Sequence, residues 1–264
     1  MTWFDIGVNL TNKRFSADLD QVLTRARQNK VCQMLITGTD VQESHSAWQL
    51  AKQHQLFSTA GVHPHYAGSV QPDFVDKLRQ LAKKPQVRAI GECGLDFNRN
   101  FSTREDQLRV FEQQLELAVE LQKPVFLHER DAFNEQIAIL KRFRPHLAGG
   151  VAHCFTGNRE QMEAYLDLGL YIGITGWLCD ERRATELRQA VAHLPPARMM
   201  LETDAPYLAP RHVRPRIERC EPCHLPLIAE ELASLTGIPL AQLATSSFTN
   251  SQTLFGQEPH DGQS

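Results

Sequence analysis

No stretch of the chain reaches 18 consecutive apolar residues, so no segment reads as a membrane-spanning helix. An excess of positive charge is also missing. Twenty-eight Lys and Arg stand against 31 Asp and Glu, a formal net charge of -3, which excludes a protein that grips nucleic acid through a broad cationic surface. Any nucleic-acid affinity has to come from a local site. Cysteine is sparse at six, and Met-Thr-Trp-Phe-Asp at the N-terminus lacks the basic and apolar regions of a signal peptide. A reduced, cytoplasmic chain without a disulfide framework is therefore expected, with no membrane and no obligate protein partner. Low-complexity tracts and linkers are absent as well. What remains, 264 residues with 42% apolar content, suffices for a sizeable core and fits one hydrolase barrel over residues 1–264, with a polar tail from about Gly256.

What is present is a repeated unit: a short apolar run, a turn, then an amphipathic stretch. It occurs eight times, with runs at 3–10, 32–39, 57–65, 87–96, 124–130, 149–156, 171–177 and 199–204. Their continuous Val, Ile, Leu and Met content suits parallel strands covered by helices. Between them, Leu19, Val22, Leu23 and Ala26 share one helical face behind a cap at Ser16. Ser102 with Glu105 reads as a capping box for a helix presenting Leu108, Phe111, Leu115 and Ala118. Eight such units predict an α/β fold of the (β/α)8 TIM-barrel type, with a doubly wound open sheet as the alternative. A Pro- and Arg-rich loop follows Asp204 to about Pro222, and two helical patterns close the chain.

In a barrel of this kind the active site lies at the C-terminal ends of the strands. Polar residues closing the apolar runs are thus the first candidates. The third run ends in His63-Pro64-His65, the fourth contains Glu92, the fifth His128, the sixth His153, and the eighth Glu202-Thr203-Asp204. Imidazoles and carboxylates crowded together carry a desolvation and repulsion cost that a divalent cation offsets. The donor set suits Zn, Mn or Fe, or Mg if water completes the sphere. Alternation along strands turns Cys93 and Cys154 toward the helices as core packing. Cys220 and Cys223 read as an incidental pair. Glu202, one layer below Asp204, is expected to support a ligand or pair with a cation. Arg130, Asn98, Arg99, Asn100, Arg182 and Arg183 are rim residues with phosphate-binding chemistry.

These motifs resemble the TatD family of metal-dependent deoxyribonucleases, among the amidohydrolase-like barrels. The matching stretches are Asp5-Ile6-Gly7-Val8-Asn9-Leu10, Gly61-Val62-His63-Pro64-His65, Ile90-Gly91-Glu92-Cys93-Gly94-Leu95-Asp96, Leu127-His128-Glu129-Arg130-Asp131-Ala132, His153-Cys154-Phe155-Thr156-Gly157 and Glu202-Thr203-Asp204-Ala205-Pro206-Tyr207-Leu208. The resemblance implies a cytoplasmic metal-dependent phosphodiesterase removing nucleotides from the 3′ end of single-stranded DNA, with RNA as a further substrate class. Many relatives carry His-x-His at the end of the first strand. Here those positions are Gly7 and Asn9, as in the branch beginning Asp-Ile-Gly-x-Asn-Leu, which favours Mg2+, with Mn2+ or Zn2+ as alternatives. A family Asn-Glu-Pro reads Cys220-Glu221-Pro222.

On this reading Glu92, His128, His153 and Asp204 hold the metal, and Asp204 also accepts a proton from the attacking water. His63 either ligates the metal or binds the scissile phosphate, assisted by His65. Arg130 holds a phosphate oxygen, Arg99 is a further candidate, and Phe97 or Tyr207 stacks on a base. Two other functions fit the same residues: hydrolysis of an amide or ester, and a non-catalytic protein-binding barrel.

Overall fold

The structure is a computed structural model that describes residues 1–256, so the polar tail expected past Gly256 lies outside the described residues. Strands and helices alternate: β1 (Trp3–Val8), α1 (Leu19–Gln28), β2 (Val31–Ile36), α2 (Val41–His54), β3 (Phe57–Ala60), α3 (Phe74–Ala82), β4 (Val87–Asp96) and α4 (Arg104–Leu121). There follow β5 (Val125–Arg130), α5 (Phe133–Phe143), β6 (Gly150–Ala152), α6 (Arg159–Asp167), β7 (Tyr171–Ile174), α7 (Thr185–Ala190), β8 (Met199–Leu201), α8 (Leu225–Thr236) and α9 (Leu240–Phe255). The eight strands lie in one sheet in sequence order, every ladder parallel.

Parallel strands need a crossover between each pair, and the helices supply it while burying the outer face of the sheet. The larger core cluster lies between helices and strands. A smaller one, of Phe4, Ile6, Leu35, Ala89, Phe126, Val151 and Met200, comes from six strands and is joined by Phe255 of α9. Phe4 and Phe255 have ring centroids 6.3 Å apart, so the last helix closes the barrel end opposite the strand C-termini. This apolar plug is the floor on which the polar site rests.

The seam between β8 and β1 is held by few backbone bonds. Val8 bridges Ala205, with Asp204 N–H donating to Gly7 O and Asn9 N–H to Ala205 O, both at 2.8 Å. A side chain completes the closure. Fully buried Asp5 accepts from the Thr203 N–H at 2.9 Å through Oδ1, and its Oδ2 lies 2.6 Å from Thr203 Oγ1. Despite these contacts, burial pushes the Asp5 carboxyl up to about 8.

Two helix starts differ from expectation. Ser16 hydroxyl donates back to Lys13 O, and α1 begins two residues later than expected, after Asp18, although Val22, Leu23 and Ala26 do form its buried face. Thr103, not Ser102, caps α4, accepting from Asp106 N–H. Ser102 is drawn away because its hydroxyl accepts from Gly68 N–H and donates to His65 O, both at 2.9 Å.

Candidate metal centre

The candidate site stands where the strand C-termini converge, and buried glutamines from the helices hydrogen-bond the backbone just past β3 and at the end of β4. Past their ladder partners the strand backbones need other hydrogen bonds. Gln114 of α4 receives the Val62 N–H at 2.7 Å and donates to Val62 O at 3.0 Å, fixing the residue before His63. Gln107 does the same for Asp96 N–H and O, and Gln136 of α5 receives the Leu95 N–H. None of these three was singled out from sequence, where a lone Gln on a helix carries no signal.

Around Glu92 the arrangement is concentric. Its Oε1 lies 2.9 Å from His128 Nδ1, 3.2 Å from His153 Nε2 and 3.4 Å from His63 Nε2, so imidazoles from three other strand ends surround one carboxylate oxygen. Burial opposes ionisation of Glu92, but attraction to His63 and His153 and hydrogen bonds from His128 and His153 hold its carboxyl well below the usual range. Burial likewise opposes charge on His128, yet Asp96 and Glu92 raise it to about 9. His153 is raised by Glu202 and Glu92 against the same burial cost. His63 goes the other way, lowered to about 4, because burial outweighs the pull of Glu92.

The backbone decides the tautomer of His63. The His65 N–H donates to His63 Nδ1 at 3.1 Å, so that nitrogen is an acceptor and the proton of the neutral ring sits on Nε2. His63 is thus poised as a hydrogen-bond donor. His65 Nε2 is held by Asp96 Oδ2 at 2.7 Å, a partner that the sequence reading left out.

Glu202, fully buried, receives the Cys154 N–H on Oε1 and lies 2.8 Å from His153 Nδ1 through Oε2. This fixes His153 with its Nε2 turned to Glu92, the support expected of a residue one layer down. Its carboxylate fills space between Gly7 of β1 and Gly173 of β7. A Cβ would come within 2.1 Å of Glu202 Oε2 at Gly7 and within 2.4 Å of Oε1 at Gly173. The loss of a side chain at position 7 thus belongs with the burial of Glu202. Asn9 Nδ2 donates to Asp204 Oδ1 at 3.0 Å, so Asn9 steers a carboxylate through its amide nitrogen. Asp204 is half-buried at the cavity wall; burial, with repulsion from Glu92 and Glu202, raises its carboxyl to about 7 against the opposing pull of His153.

A cavity of about 730 Å³ opens above this floor and is lined by His63, His65, Glu92, His128, His153 and Asp204, with Arg130 and Tyr207 at its wall. The predicted metal, catalytic and phosphate residues His63, His65, Glu92, His128, Arg130, His153 and Asp204 therefore meet in one cavity. Several rim expectations fail. Phe97 is buried, because the Arg104 guanidinium lies over its ring at 4.2 Å, whereas Tyr207 is 49% exposed. Arg99 does not line this cavity, and Arg182 and Arg183 stand outside it beside Asp180, so none of the three is at its rim. Cys154 takes a left-handed backbone (φ 45°) that turns it into the cavity wall, 3.5 Å from Thr175 Oγ1, instead of packing under the helices. Cys220 is buried, Cys223 half-buried, and both are free thiols. The aromatics overlooked in sequence are Tyr66, 46% exposed, and Trp177, both lining the cavity, and Phe101, 67% exposed, whose ring meets His65 edge-on.

Residues 4–256 match the family model described as TatD related DNase. A 3'-5' ssDNA/RNA exonuclease TatD of Erwinia tasmaniensis is 52% identical over 256 residues, covering 96% of this chain and 99% of its own length. The protein of the same name from Klebsiella pneumoniae is 51% identical, covering 96% and 97%. The chain belongs to the TatD-related DNase family. Among solved structures, the TatD homologue YJJV from Escherichia coli superposes with a TM-score of 0.89 at 29% identity, covering 97% of this chain and 98% of that one. As a TatD-related DNase the chain is a metal-dependent hydrolase acting on phosphodiester bonds.

The residues of this TatD-related DNase suit a divalent cation on grounds independent of the family. Ligand-type atoms of Glu92, His128 and His63 all lie within 4.8 Å of one another, with His153 Nε2 3.2 Å from Glu92 Oε1; Glu92, His128 and His153 can supply donors to an ion, while His63 presents its Nε2 proton beside them. His128 Nε2 is buried without a hydrogen-bond partner; the 3.4 Å to Asp96 Oδ2 is an electrostatic contact, not an aligned bond. An orphaned buried nitrogen facing carboxylates is the environment that a cation completes. Among the described residues no helix is long and apolar enough to cross a membrane.

Proposed function

We propose that this DNase is a 3'-5' exonuclease of single-stranded DNA, and of RNA, that uses Mg2+ held by Glu92, His128, His153 and Asp204. The observation that carries the site assignment is the single carboxylate oxygen of Glu92 ringed by three imidazoles, beside the half-buried Asp204. The direction of digestion and the strandedness rest on the names of relatives at 51 to 52% identity.

Each side chain has a separate task. A bound divalent cation supplies Lewis acidity to a phosphoryl oxygen and lowers the pKa of water. Asp204, steered by Asn9, accepts the proton of the attacking water. His63, with its proton on Nε2, donates to a non-bridging phosphate oxygen and so favours the charge that develops there. His65, oriented by Asp96, backs the same phosphate, and Arg130 adds charge at the wall. Absence of imidazoles at positions 7 and 9 shifts the donor set toward carboxylate and water, which supports Mg2+ or Mn2+ over Zn2+. Tyr207, Tyr66 and Trp177 offer rings on which unstacked bases rest, whereas a duplex end has first to be melted to enter.

The test is digestion of single strands labelled at the 5′ or the 3′ end, with Mg2+, Mn2+ or Zn2+ and with EDTA. Early release of the 3′ label with Mg2+, abolished by EDTA, is expected. Early release of the 5′ label, or turnover of an ester and amide panel without nucleotide release, overturns the proposal.

A further inference from the structure

Beside the catalytic cavity lies a second cleft, of about 290 Å³, under the loop that follows β8. Its wall carries Arg14, Arg183, Arg211 and Arg216 against two carboxylates, Asp180 and Glu218. That local excess of positive charge stands in a chain whose formal net charge is -3. One residue, Asp180, concentrates it. Only 3% exposed, it is approached by Arg182, Arg183 and Arg211, the last two at 2.9 and 3.2 Å, so three guanidiniums share one carboxylate and keep donors to spare. Arg216 is exposed and makes no hydrogen bond or ion pair among the described residues.

The cleft is joined to the cavity and built to hold its shape. Tyr207 and Leu208 line both. Trp177 stands at the junction with Arg130 on the cavity side, 5.5 Å from its ring centroid, and Arg183 on the cleft side, 4.2 Å away. The loop root is anchored. Arg219 bonds to both Asp18 and Glu221, and Arg25 bonds to the same two carboxylates, which ties the loop to α1 and leaves its arginine-bearing tip facing the cleft.

We propose that this cleft is the track for the sugar-phosphate backbone of the nucleotides 5′ to the scissile bond. Resting on the exonuclease reading, the strand enters with its 3′ end over Glu92, passes the Trp177 and Tyr207 rings, and lays two or three phosphates along Arg183, Arg211 and Arg216. Guanidinium forks match phosphate oxygens, and a few such contacts give length preference without a broad basic surface.

The test compares wild type, Arg211→Ala/Arg216→Ala and, as an independent variant, Arg216→Glu. Binding of a fluorescent ten-nucleotide single strand is measured by anisotropy in EDTA across a salt series, with a blunt duplex as comparison. The double variant is expected to bind the single strand at least about fivefold more weakly and with a salt slope lower by roughly one to two, because two phosphate contacts are lost. Arg216→Glu, which replaces a phosphate contact by a like charge, is expected to bind the single strand at least about threefold more weakly than wild type. Hydrolysis is measured in parallel: the ratio of kcat/KM for the ten-mer to that for a dinucleotide is expected to fall toward one in the variants. Unchanged affinity and salt slope, equal loss on dinucleotide and ten-mer, or wild-type affinity for blunt duplex equal to that for single strand, overturns the track. If wild type binds the strand through these arginines and releases no nucleotide with any metal, the track stands and the exonuclease reading falls.

Discussion

Glu202 Oε2 lies 2.8 Å from Nδ1 of His153, below the cavity floor, while its Oε1 takes the N–H of the next residue, Cys154. Two donors thus converge on one carboxylate, and a side-chain amide offers only one acceptor to replace it. Glu202→Gln is expected to weaken Mg2+ or Mn2+ affinity about 10- to 100-fold, in line with the loss of other outer partners of ligating histidines. Titration calorimetry reads this directly, and an unchanged dissociation constant removes Glu202 from the metal centre.

Gly7 and Glu202 occupy neighbouring space, so adding a single carbon at position 7 is expected to be costly. A Cβ at Gly7 would meet Glu202 Oε2 at 2.1 Å, and overpacking of a rigid site costs about 1 to 3 kcal/mol. Gly7→Ala is expected to lower the urea midpoint accordingly. A variant of wild-type stability would show that Glu202 moves aside freely.

His63 and His153 are expected to part company in kinetics. His63→Ala should leave metal affinity within about threefold while lowering kcat at least about a hundredfold, the usual scale for a lost proton-bearing group. His153→Ala should lower metal affinity at least about tenfold. The reverse pattern would make His63 the ligand and overturn the tautomer assignment.

Asp5 should make stability depend on pH. Its folded-state pKa, raised to about 8 chiefly by burial, exceeds the ordinary 3.8, so the folded state holds a proton that the unfolded chain has released. Its contribution is therefore complete below about pH 4 and is lost as pH rises to about 8. Asp5→Asn, which cannot ionise, should gain on wild type by up to about 1.4 kcal/mol per pH unit inside that window. Parallel denaturation midpoints for the two proteins from pH 5 to 8 would show that Asp5 ionises normally.

The barrel was legible because its information is local. Continuous apolar runs at regular spacing specify parallel strands with crossovers, and chemistry-bearing residues that close those runs fall at one end of the barrel whatever the details of packing. Glu92 and His128 lie within β4 and β5 and follow from that register, while His63, His65, His153 and Asp204 stand in the turns just past β3, β6 and β8, close enough to the strand ends to be singled out from sequence. Helix entry was less legible: Ser102 has a capping chemistry, but its hydroxyl is engaged by Gly68 and His65 from an earlier loop.

Other features depend on contacts that exist only after the ring closes. Asn9 and Asp204 are 195 residues apart in the chain, and the hydrogen bond by which Asn9 steers Asp204 needs the β8 to β1 seam. Phe97 sits at a strand end yet is buried under Arg104 of the following helix, so an aromatic at the rim is not thereby exposed. The His63 tautomer follows from one backbone N–H, two residues on, that bends back onto the ring. The arginine-lined cleft takes its charge from residues 14, 183, 211 and 216, scattered along the chain and diluted in its composition. Sequence determined the repeat, the barrel and the chemistry of its strand ends; tertiary structure alone decided which nitrogen carries a proton, which glycine makes room for a carboxylate, and where positive charge gathers, because those are distances and not patterns.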